Sequence, residues 1–145
     1  MKKILAILLA LLSIALIVSC EADNKEPDFN YEDLVGDYVY WQYDINESSD
    51  EYIRFKFLVE NGSNLADVYD RKASDSEYSM KSVPVKIKGS ELTFSSKSGG
   101  DYIYKAVLDV DGDTSTLTLT QIGENTLFEK HNTLKTVVLT KVKLG

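Results

Sequence analysis

Tyr52-Ile53-Arg54-Phe55-Lys56-Phe57-Leu58-Val59-Glu60-Asn61-Gly62 is the stretch whose reading decides the fold. Ile53, Phe55, Phe57 and Val59 alternate with Arg54, Lys56 and Glu60, with Leu58 the one exception. A period of two places the apolar side chains on one face of a strand and the charged ones on the other. Asn61-Gly62 then supplies two residues that tolerate positive φ, as a type I′ hairpin requires. The strand therefore turns back and pairs antiparallel with its successor.

The same pattern recurs outward from this stretch. Val39, Trp41, Tyr43 and Ile45 share one parity, and Tyr38, Tyr40, Gln42 and Asp44 share the other. Tyr102, Tyr104, Ala106, Leu108 and Val110 oppose Lys105 and Asp109, while Val83, Val85 and Ile87 oppose Lys86 and Lys88. Pro84 lacks a ladder donor, so its strand is bulged, split or at an edge. Leu134–Leu144 is apolar on both parities around Val137–Leu139, which leaves its inward face open. Gly89-Ser90, Gly99-Gly100 and Asp111-Gly112 are further hairpin signals. Strands are expected near 37–45, 51–60, 64–71, 77–88, 91–96, 101–110, 114–122 and 134–143. No segment of helical period follows residue 20. The fold class is all-β, an antiparallel up-and-down meander of about eight strands that closes into a barrel and so loses its edges. A β-sandwich is the alternative, and its long crossover has one sizeable candidate, Gly123–Thr133.

The chain has 145 residues and a formal net charge of −7, enough for one domain. Its acidity argues against nucleic acid as a partner. A single cysteine excludes an intramolecular disulfide and a cysteine-cluster zinc site. A single histidine disfavours most metal and triad chemistry, and no cofactor is implied.

Lys2 and Lys3 precede Ile4–Val18, an apolar run interrupted by Ser13. This fits a secretory signal better than a bilayer span, which needs about 20 apolar residues. The run ends Ile17-Val18-Ser19-Cys20, which resembles the lipobox of bacterial lipoproteins. The resemblance implies a signal peptide over 1–19, cleavage after Ser19, and a diacylglycerol on Cys20. Its acyl chains, such as palmitate, would anchor the protein to a membrane of the bacterial cell envelope, periplasmic or surface-exposed, at about 0.8 kcal/mol per buried CH₂. Once Lys2 and Lys3 are removed, 14 bases face 23 acids, a balance of −9. Residues 21–51 hold eleven acids and one base, Lys25. Such a segment is repelled by an anionic membrane surface and holds the domain away from it. Residues 20–33 read as a flexible acidic tether and 34–145 as the folded domain.

Leu34-Val35-Gly36-Asp37-Tyr38 resembles the opening of small lipocalin-like domains of bacterial lipoproteins. Those domains usually have tryptophan where this chain has Tyr38; Trp41 stands three residues later on the opposite parity. Asp111–Thr120 is similar to a late hairpin of the group, and Val138-Leu139-Thr140-Lys141-Val142 to its final strand. The resemblance implies an antiparallel barrel and no reaction.

Candidate sites are sparse. Asp109, Asp111 and Asp113 alternate like the first ligands of an EF-hand loop, but the glycine falls at the fourth position, and Thr120 stands where the bidentate glutamate belongs. An acidic turn is the favoured reading, with weak calcium binding as the alternative. His131 lies in the polar run Glu129-Lys130-His131-Asn132 and reads as a solvated loop histidine, because neither an orienting carboxylate nor a nucleophile can be placed beside it. Tyr38, Tyr40, Trp41 and Tyr43 form the densest aromatic run. Trp41 and Tyr43 have core parity, whereas Tyr38 and Tyr40 could form an exposed platform for a protein or glycan. The expected inward set of Trp41, Phe55, Phe57, Phe94 and Leu108 is bulky and points to a packed interior or a very small cavity. The expectation is a non-enzymatic, lipid-anchored envelope protein that binds a small apolar ligand or a protein partner. An envelope-complex or glycan-binding subunit is the alternative, and a hydrolase using paired acids is the third reading.

Overall fold

The computed structural model describes residues 26–98 and 100–145. The expected signal peptide, Cys20 and the first part of the tether lie outside the described residues. Strands run over β1 (Val39–Asp44), β2 (Tyr52–Glu60), β3 (Ser63–Arg71), β4 (Tyr78–Lys88), β5 (Glu91–Phe94), β6 (Tyr102–Asp109), β7 (Thr116–Gln121) and β8 (Thr136–Lys143). Two 3-10 turns, Tyr31–Leu34 and Gly112–Thr114, complete the elements. Each strand pairs antiparallel with the next, and β8 pairs with β1, so the sheet is a closed eight-stranded barrel. The architecture is consistent with a lipocalin-like barrel.

The β2–β3 turn has the predicted form, with φ of 52° at Asn61 and 76° at Gly62. The strand that carries Pro84 is bulged. Its register against β3 shifts between Ala66 and Val68, and Ser82 adopts a φ of 51° at the shift. Asp67 Oδ1 accepts the Ser82 N–H at 2.8 Å, which satisfies a donor removed from the ladder. The extra residue switches the inward parity from Met80 to Val83 and Val85, so one strand carries both patterns.

The first and last strands meet, and Leu144 N–H donates to Tyr38 O at 2.9 Å beyond the ladder. An up-and-down meander places the β2–β3, β4–β5 and β6–β7 turns at the end where β1 starts, here termed proximal. The other four connections form the distal end.

Aromatic rings fill the space between the ends. Tyr31 meets Phe57 edge-on at 5.8 Å, Phe57 stacks on Phe55 at 5.6 Å, and Phe55 touches Phe94 at 5.8 Å and Phe128 at 6.2 Å. Tyr104 closes the network against Phe94 and Phe128. Of the expected inward set, Trp41, Phe55, Phe57 and Phe94 are fully buried, while Leu108 is only partly buried at the rim. Val59 and Val110, which share inward parity, are exposed because their strands run past the proximal rim. Val137 and Leu139 are the inward residues of β8, and Val138 faces solvent.

Both ends are stoppered. At the proximal end Tyr31 and Leu34 are buried, Tyr31 Oη donates to Leu65 O at 2.7 Å, and Asp28 N–H donates to Gly89 O. The tether expected through residue 33 is corrected here: from Asp28 onward the chain is fastened to the barrel, because Phe29, Tyr31 and Leu34 cap the apolar interior. At the distal end the β7–β8 connection inserts Leu127 and Phe128.

Candidate functional site

The distal mouth holds the densest polar chemistry. Asp70 has the inward parity of Ala66 and Val68, and its side chain is fully buried. Glu51 stands two residues before Ile53, on the inward parity of β2. His131 descends between them from the β7–β8 connection. Its Nδ1 lies 2.5 Å from Asp70 Oδ1 and its Nε2 lies 2.8 Å from Glu51 Oε1. The second Asp70 oxygen accepts the Lys130 N–H at 2.5 Å. The imidazole thus bridges the two carboxylates through its two nitrogens.

The side chain of His131 is 10% exposed, so the solvated-loop reading is corrected. The orienting carboxylate is present twice over. With each nitrogen held by a carboxylate, neither is directed at a hydroxyl or a water to be activated. The arrangement fastens the loop that carries Leu127 and Phe128. Leu127 N–H adds to the fastening by donating to Tyr104 Oη at 3.0 Å. Burial raises the Tyr104 hydroxyl above the usual tyrosine range. Beside the mouth, Tyr52 Oη donates to Glu77, and its hydroxyl is raised first by burial and then by that bond.

The structure scatters the four aromatic candidates. Trp41 is buried and its Nε1–H donates to Leu34 O at 2.9 Å, so it ties the proximal stopper to β1. Tyr43 is partly buried against the core. Tyr40 is half-buried on the outer face beneath Arg54 and Lys56, whose cationic groups stand 5.6 and 5.8 Å from its ring centroid. Tyr38 is 64% exposed. It adopts a φ of 60°, which is costly for a bulky side chain. It lines an open cleft of about 590 Å³ with Lys56, Leu58 and Val59. Tyr38 and Tyr40 thus both lie outside the buried core.

Asp109 ends β6, Asp111 precedes the 3-10 turn and Asp113 lies within it. Asp111 accepts from Thr114 Oγ1 and keeps its turn closed. Among the described residues no group of three His, Cys, Asp or Glu side chains is arranged to hold a metal ion.

A gap in the barrel wall lies between β4 and the β5–β6 connection. Strand β5 pairs only with Val85–Lys88, so Tyr78–Val83 extends beyond it. A cleft of about 330 Å³ opens there.

No family model matches the chain, and neither the curated proteins nor the solved structures contain a significant match.

Proposed function

We propose that this chain is a bacterial envelope lipoprotein, anchored through acyl chains on Cys20, whose barrel acts without catalysis by binding a partner on its outer surface. The anchor rests on Ile17-Val18-Ser19-Cys20. The binding mode rests on one observation: the column of rings from Tyr31 through Phe57 and Phe55 to Phe128 and Tyr104 occupies the space where a carrier barrel would hold its ligand. Of the two ligand classes the sequence suggests, an apolar small molecule finds this space taken, and a macromolecular partner does not need it. Engagement of both nitrogens of the sole histidine by carboxylates supports a non-catalytic role.

Native mass spectrometry of the mature chain, exposed to fatty acids, sterols and haem, tests the binding mode. The expected result is an unchanged apo mass; a stoichiometric adduct would overturn it. Metabolic labelling with a fatty-acid analogue tests the anchor. Label is expected on the native chain and absent from Cys20→Ala; label retained in the variant would remove the lipoprotein reading.

A further inference from the structure

We infer that the cleft beside β4 is a docking site for an acidic, extended peptide segment of a partner protein. The inference deepens the surface-binding reading and does not depend on lipidation. Three observations carry it.

The first is backbone geometry. β4 is eleven residues long and β5 is four. The β4–β5 ladder stops at Val85, and one further bond, Ser95 N–H to Pro84 O, extends it. Tyr78–Met80 is paired to β3 on one side only. Alternate N–H and C=O groups on the other side face the cleft, which is the edge that a short added strand uses. The bulge at Lys81 and Ser82 ends this edge and keeps the added strand short.

The second is charge. The chain carries 23 acids, yet none of the eleven residues lining the cleft is acidic. Two of them are lysines and four are serines. Lys97 is exposed on the cleft rim. Lys81 is partly committed, since its ammonium contacts Tyr69 and lies 3.8 Å from Asp67. In a molecule that repels anions overall, the lining itself is free of carboxylates, and a neighbouring acid, Asp101, is engaged with the Ser96 N–H at 3.4 Å.

The third is the lining. Tyr78 and Met80 have the inward parity of their half of β4 but are bared by the short β5, and Tyr102 faces them from β6. Two rings and a thioether suit the alternate apolar side chains of an added strand, while Lys97 and the serine hydroxyls suit its carboxylates. A second copy of this chain fits less well, because edge-to-edge pairing would bring the two sets of lysines together.

Panning the full mature chain against a display library of random short peptides tests the proposal. The expected winners are enriched in Asp and Glu, and Lys97→Glu weakens them about tenfold without changing the melting temperature. Hydrogen exchange should slow at residues 78–80 when the peptide binds. Winners without acidic bias, or winners indifferent to Lys97→Glu that protect another face, would overturn the cleft assignment while leaving surface binding intact. An empty library would also overturn it, and an adduct in the mass-spectrometric experiment above would sink the surface-binding reading itself.

Discussion

Asp70 and His131 are sixty-one positions apart in sequence and 2.5 Å apart in space, and this contact holds the distal stopper on the barrel. Asp70 is wholly buried, and its two oxygens are engaged by that ring and by the Lys130 amide. His131→Ala is expected to cost about 3 kcal/mol, because it strands a buried carboxylate. Urea denaturation measures the loss, and hydrogen exchange should accelerate selectively over residues 122–135. Unchanged stability would show that Asp70 is satisfied without the ring.

Two deeply buried tyrosines set the alkaline limit. Burial holds the Tyr31 hydroxyl far above the ordinary range, and Tyr104 is raised for the same reason. In the unfolded chain both ionise near pH 10. The folded state retains protons that the unfolded state has lost, so their contribution is complete below about pH 10 and is lost as pH rises through the folded values. The unfolding free energy should therefore decline above about pH 10, and less steeply in Tyr31→Phe. Equal slopes would contradict the assignment.

Trp41 is the chain's single tryptophan, and its indole donates to Leu34 O from a buried site. Trp41→Phe removes the bond and leaves a gap, an expected loss of about 2 kcal/mol by chemical denaturation. In the native protein, tryptophan emission should be blue-shifted and resistant to acrylamide until the barrel opens.

Phe55 touches three other rings at the centre of the barrel. Phe55→Ala should cost about 4 kcal/mol and leave a dry cavity. Benzene should then raise the melting temperature of the variant and not that of the native chain. A native barrel stabilised by benzene would indicate space that the rings do not fill.

Gly62→Ala isolates the backbone cost of the decisive turn. No atom lies within 4 Å of the added methyl, and φ is +76°. The expected loss is about 1 kcal/mol, read from the denaturation midpoint.

The strands were legible where apolar and charged residues alternate, as in Ile53–Val59, and where Asn61-Gly62 forces the return. The inward face of β8 was not, because Val137-Val138-Leu139 is apolar at each position and only pairing with Leu117 and Leu119 selects a side. Tyr31 was hidden in a polar run, since its burial comes from Phe57 and the Leu65 carbonyl, both distant in sequence. The distal cluster left two faint marks. Asp70 occupies an apolar parity after Ala66 and Val68, and Leu127-Phe128 interrupts a polar connection. Each implies burial, but only the closed barrel brings His131 to Asp70 and Glu51.

The seam between β1 and β8 ties the beginning of the domain to its end. Val39 finds its cross-strand neighbour only when Lys143 arrives, so the ring of hydrogen bonds cannot close on a partly synthesised chain. Until then β1 lacks one neighbour and β7 presents an open edge. A nascent chain with this topology therefore completes its barrel only once its last strand is available.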